Sequence, residues 1–178
     1  MKKKLISFVI VAMIAIIVGS FTLKAIYPLK YYGVISEACA SYDIDPLFVL
    51  SVLKAESNFN ENATSHKNAA GLMQIMEQTA VEFAEKLDIA DFTPADIYDP
   101  QINITIGTAY LDYLLGHFGG DKTVVLAAYN AGMGRVGEWL DNENYSPDGK
   151  TLTNVPYGET SRYITKVLNN YRIYTFIY

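Results

Sequence analysis

The chain has 178 residues, 51% of them hydrophobic and 19% charged, with a formal net charge of −5. That length suits one domain plus a short extra segment, and the composition sustains a core and excludes a mostly disordered chain. Lys2, Lys3, Lys4 and Lys24 give the first 24 residues +4, which leaves −9 for residues 25–178 and excludes a nucleic-acid partner, whose phosphates demand a basic face.

The first predicted element is an anchor, residues 1–26. From Leu5 to Leu23 run 19 residues without a charge, a length that roughly spans a ~30 Å hydrocarbon core at 1.5 Å per helical residue. The lysines before it place the N-terminus in the cytoplasm and the remainder on the extracytoplasmic, wall-facing side. The competing reading is a cleaved signal peptide and a secreted product. Its apolar stretch would be shorter, about 7–15 residues, and would end in a small-x-small site, for which Val18-Gly19-Ser20-Phe21-Thr22 is a marginal match. The basic leader argues against a buried core helix. The single cysteine, Cys39, lies well past the apolar run, which disfavours a lipoprotein and excludes an internal disulfide. In Glu37-Ala38-Cys39-Ala40 it reads as a small buried helix residue.

Tyr27 to Gly33, with Pro28 and Gly33, reads as a juxtamembrane linker (27–34) ahead of a domain at 35–178. Beyond it the pattern is helical, with no alternating run long enough to insist on a sheet. Asp45-Pro46 starts a helix that reaches Glu56-Ser57, by an acid at the N-cap and proline at the first helical position. A second helix is predicted from about Leu72 to Leu87. Asp99-Pro100 repeats the start signal for a third, closed by Gly119-Gly120. Asp121 caps a fourth to about Ala128, Gly132 and Gly134 break it, and Arg135 to Leu140 forms a short fifth. Asp141 to Pro156 reads as a surface loop, and a last helix covers about Glu159 to Tyr171. Neither histidine has another ligand near it at metal spacing, so no metal and no cofactor are expected.

Glu56 is the chemically odd residue. Val49, Val52 and Leu53 precede it by seven, four and three residues and share its helical face. Hydrocarbon on that face and the negative end of the helix dipole both disfavour the charged form, for an expected pKa rise of about 1–2. Such a carboxyl suits a general acid near neutral pH. The bland alternative is a solvated glutamate. Three further segments each have an ordinary reading alone. Gly71-Leu72-Met73-Gln74-Ile75 could be a turn and core filler, Ala128-Tyr129-Asn130-Ala131-Gly132 a helix end, and Glu159 with Tyr163 an i, i+4 pair.

In order, Glu56-Ser57, Gly71-Leu72-Met73-Gln74, Ala128-Tyr129-Asn130-Ala131-Gly132 and Glu159-Thr160 with Tyr163 resemble the four motifs of soluble-lytic-transglycosylase (SLT) type catalytic domains. Asp99-Pro100, Asn103, Gly107, Tyr110-Leu111 and Leu114 look like the central helix of that family, and the likeness covers roughly residues 35–170. It implies an all-α, lysozyme-like (goose-type) domain with a glycan-binding cleft. It implies Glu56 as the sole catalytic acid/base, helped by Ser57. Met73, Gln74, Tyr129 and Asn130 would line the cleft, with the Tyr163 hydroxyl near Glu56 and Glu159 fixing backbone or Tyr163. The implied partner is the glycan strand of peptidoglycan. The β-1,4 bond between N-acetylmuramic acid and N-acetylglucosamine would be cut to leave a 1,6-anhydromuramyl end. Two rivals share these residues, a hydrolytic muramidase and a wall-binding scaffold without turnover. A peptidase lacks a nucleophile–histidine pair or metal cluster.

Overall fold

A computed structural model describes residues 2–178, and its regular structure is helical throughout. Among the described residues, strand-like pairing is limited to two single bridges, Thr64 with Ala70 and Ala70 with Ile75.

Helix α1, Lys2–Ile26, is long and apolar enough over Ile6–Ile26 to cross a membrane, and none of that stretch is buried against the body. Helix α2, Tyr32–Cys39, begins three residues before the expected start of the domain at 35. Cys39 closes it, buried as expected, and burial pushes the thiol up to about 11, well away from a reactive thiolate.

Helix α3, Pro46–Glu56, starts where the sequence places it, with Asp45 Oδ1 accepting from Leu47 N at 2.8 Å. Phe48 to Leu53 and Ala55 are all buried. A helix apolar on every side belongs in the middle of a domain, and the other helices wrap it. The last helix, α8 (Gly158–Ile177), packs along α3 more extensively than any other pair. It runs six residues past its expected end because Tyr174 is fully buried and its hydroxyl donates to Pro28 O at 3.2 Å.

Helix α4, Glu77–Lys86, corrects the expected start at Leu72. Ala70 and Ile75 exchange two backbone hydrogen bonds of 3.0 Å, and Gly71 (φ 76°) and Gln74 (φ 49°) are left-handed. Residues 70–75 therefore form a tight hairpin turn, which a right-handed helix cannot contain. A 3-10 helix at Pro94–Tyr98 was not foreseen.

Helix α5, Pro100–His117, is capped by Asp99 and buries Asn103, Ile104, Ile106, Gly107, Thr108, Ala109, Leu111 and Leu114 as a second core axis. Helix α6, Lys122–Ala131, is capped by Asp121, which accepts from Thr123 N and Val124 N. It extends three residues past Ala128, so Tyr129 and Asn130 ride its last turn. Gly132 (φ 91°) alone breaks the chain there, and Gly134 lies inside helix α7, Met133–Leu140. The polar loop expected from Asp141 onward then leads back to α8.

Candidate active site

Glu56 is the last residue of α3, above the fully buried Val49, Val52 and Leu53. The residue keeps some accessible surface, yet its carboxyl is enclosed by protein on nearly every side. The group is thus held among protein atoms rather than solvated, with Tyr129 of the groove wall and Tyr163 beside it. Burial pushes its pKa up to about 7 against an opposing pull from the Tyr163 hydroxyl and the Lys166 cation. The direction is the one the sequence predicts.

Both tyrosines of the predicted set face this carboxyl. Burial raises the Tyr163 and Tyr129 phenols far above their ordinary range, and the Glu56 charge raises them further. The Tyr163 hydroxyl lies toward Glu56 at the margin of hydrogen-bonding geometry and has no other partner among the described residues. Tyr129 donates to Met73 O at 2.7 Å, so its ring is held against the hairpin turn. Lys166, one turn beyond Tyr163, donates to Ala55 O and thereby ties α8 to the residue preceding Glu56.

The hairpin turn is fixed from beneath by Asn103. Its Nδ2 donates to Ala70 O at 3.1 Å and Ile97 O at 2.7 Å, and its Oδ1 accepts from Met73 N at 2.8 Å. A side chain on Gly71 would collide with this amide and with Ile97 O, and Met73 presses its sulfur against Gly107. Close backbone approach requires glycine at both positions. Gln74 turns its amide inward, with Nε2 donating to Ala63 O at 3.0 Å and Gly71 O at 2.9 Å. Its Oε1 carries the remaining acceptor capacity.

Gln74, Met76, Tyr110, Tyr129, Asn130 and Gly132 line a groove of about 300 Å³. Asn130 Oδ1 accepts from Thr160 Oγ1 at 2.8 Å, so the first turn of α8 sets its amide. A larger depression of about 710 Å³ lies elsewhere, between the α5–α6 corner and residues 149–151. Its carboxylate, Asp121, is engaged in capping α6, and no enclosed acid faces it.

Of the predicted residues, Glu56, Tyr129 and Tyr163 form one cluster, and Gln74 and Asn130 border the adjoining groove. Met73 is fully buried under that wall. The Ser57 hydroxyl turns back to Leu53 O at 3.4 Å. Glu159 corrects the expectation attached to it. It is exposed and makes no hydrogen bond to Tyr163 among the described residues, while Thr160 beside it donates to Asn130. Sequence reasoning missed Lys166, the bond from Thr160 to Asn130 and the anchoring role of Asn103. Lys166 had a signal, because a residue three beyond Tyr163 on a helix lies beside it.

Residues 33–152 match the family described as Transglycosylase SLT domain. A soluble lytic murein transglycosylase of Salmonella typhimurium is 35% identical over 144 residues, covering 80% of this chain and 22% of that protein. A membrane-bound lytic murein transglycosylase C of Cronobacter sakazakii is 34% identical over 166 residues, covering 82% of this chain and 46% of that protein. The chain thus spans between about a fifth and a half of these relatives. The crystal structure of the 70 kDa soluble lytic transglycosylase SLT70 from Escherichia coli superposes with a TM-score of 0.77 at 32% identity, over 86% of this chain and 25% of that one. The same fold has been solved in complex with bulgecin A.

Proposed function

This chain belongs to the Transglycosylase SLT domain family, and from that premise we propose that it is a peptidoglycan lytic transglycosylase with Glu56 as its only acid/base. The observation that carries the reading is one enclosed carboxyl, poised near pH 7, beside Tyr163 and the groove-wall residue Tyr129. Most glycosidases use two carboxylates roughly 5–9 Å apart. Here the charge acting on Glu56 is a cation, Lys166, which supports a reading in which the second group comes from the substrate. The 2-acetamido group of N-acetylmuramic acid supplies it, by the substrate-assisted route.

In the first step Glu56 gives its proton to the bridging oxygen, the bond from that oxygen to C1 of the muramyl sugar breaks, and the acetamido oxygen closes on C1. In the second, the Glu56 carboxylate takes the proton of the C6 hydroxyl, and O6 displaces the acetamido oxygen from C1. The product is a 1,6-anhydro ring; no water enters and Glu56 is protonated again. The Tyr163 hydroxyl, free of other partners, is placed to donate to substrate or to Glu56 as its charge changes. Gln74 and Asn130 offer amide groups to the sugars, the Tyr129 ring a flat wall, and Ser57 and the buried Met73 support the cleft from behind.

We place the domain at about 35–178 behind the anchor, with the N-terminus cytoplasmic and the domain facing the wall. An apolar helix of sufficient length and a membrane-bound relative support membrane association. Mass spectrometry of digested glycan strands tests the reaction: the anhydro product is lighter by one water than a hydrolysed end. Glu56→Gln should lower the rate by at least ~10²-fold. Hydrolysed ends would replace this reading with a muramidase, and equal clearance by the parent and Glu56→Gln would replace it with a scaffold.

A further inference from the structure

The exposed apolar surface of α1 does not stop where that helix ends. Beyond Ile26 (54% exposed), its last residue, Leu29 (37%) continues it, and the tip of α8 adds Phe176 (83%) and Tyr178 (46%). These are distant in sequence but adjacent in space. Phe176 and Ile177 share a shallow groove with Ile16, Gly19, Ser20, Leu23 and Lys24. Lys24 Nζ lies 5.4 Å from the Tyr178 ring centre, and the Tyr178 hydroxyl donates to Tyr27 O at 3.0 Å. Phe176 is the most exposed large apolar residue of the chain's described surface, and nothing in the body covers it. Basic residues fringe the patch: Lys24, Lys30 and Arg172 are exposed, the last one turn before Phe176 on the same face.

We propose that the tip of α8, with Ile26 and Leu29, is a second membrane contact. Phe176 and Tyr178 enter the headgroup–acyl boundary beside α1, and Lys24, Lys30 and Arg172 meet the lipid phosphates. Aromatic rings with one wet end favour that boundary, and Lys and Arg place their charges at its polar side. The occupant is a lipid bilayer, because the patch is continuous with a span-length helix and its basic fringe contrasts with a body of net −9. This inference rests on α1 spanning the membrane, as placed above.

Site-directed spin labelling of the full chain, reconstituted in vesicles of phosphatidylethanolamine and phosphatidylglycerol, tests it. Cys39 is buried, so a label goes to an introduced cysteine. Labels are placed on Phe176→Cys, on Tyr178→Cys as a second probe, on Ile14→Cys within α1 and on Lys150→Cys in the distal loop. Collision rates are then read with oxygen, which concentrates in lipid, and with a water-soluble nickel chelate. The expected result is several-fold lower nickel access at 176 and 178 than at 150, with oxygen access raised at 176 and 14. A lipid-shielded label at 14 with water-exposed labels at 176 and 178 overturns the second contact and leaves the anchor standing. A water-exposed label at 14 overturns both. Dipolar broadening at 176 would mean that a second copy of the chain covers the patch, and would also overturn it.

Discussion

A single side chain decides the pH behaviour. In the proposed mechanism Glu56 must be protonated to begin the reaction, so kcat/KM should fall as pH rises through about 7. Lys166 pulls that value down, and Lys166→Met should move the fall to higher pH while Lys166→Arg leaves it near the parent; a pH–rate series reads both. The same carboxyl weakens the fold. Its folded pKa lies above the ordinary 4.5, so the native state keeps a proton that the unfolded chain has released, and stability is lost as pH climbs from about 4.5 to about 7. Glu56→Gln removes that penalty. It should be more stable than the parent by up to ~3 kcal/mol at pH 8 and little different at pH 4, measured by urea unfolding. The oddity of Glu56 was legible because the apolar residues beneath it, Val49, Val52 and Leu53, lie within seven positions on one helix. Lys166 belongs to another helix, and a distance that folding creates is not written in either segment alone.

At the scale of elements, the hairpin turn at 70–75 and the end of α3 meet only because α5 holds the turn in place. Asn103→Ala would leave Ile97 O and Met73 N without their partner, strip Ala70 O of one of its two bonds, and should cost about 2–4 kcal/mol. Gly71→Ala sets a methyl against Asn103 and Ile97 at φ 76° and should cost a comparable ~2–4 kcal/mol. Thermal unfolding checks both, and each should lose activity more steeply than stability as the groove wall shifts. Helix starts at Asp45, Asp99 and Asp121 were legible, since a cap is made by residues two or three apart. The turn at Gln74 was not. Its left-handed backbone is held by the amide bonds of Gln74 and by Asn103 thirty residues away from Met73, and local propensity alone favours extending α4 backward. The end of α8 was missed for the same reason, its last turns being held by Tyr27 and Pro28 at the far end of the chain.

For the whole molecule, the apolar leader and the helical body were both plain from hydrophobic pattern, but the segment between them was not. Of residues 27–34, read as a linker, the last three open α2 and the first five are strapped down. Lys54 Nζ donates to Ile26 O at 2.7 Å and lies 4.7 Å from the Tyr27 ring centre, Tyr174 packs edge-on against Tyr27, and Tyr31 donates to Glu61. Trypsin acting on the reconstituted chain should therefore cut after Lys150, in the distal loop, well before Lys30. Combining Lys54→Ala with Tyr174→Phe should bring the Lys30 cut forward, as gel analysis of a time course would show. A hinge at this place would let the cutting groove swing through a wide volume of wall. A strap gives it a fixed altitude instead. With a body of this size about 40 Å across, a wall-facing domain as proposed above would reach only the strands lying against the bilayer, and wall laid down farther out would be spared by geometry alone.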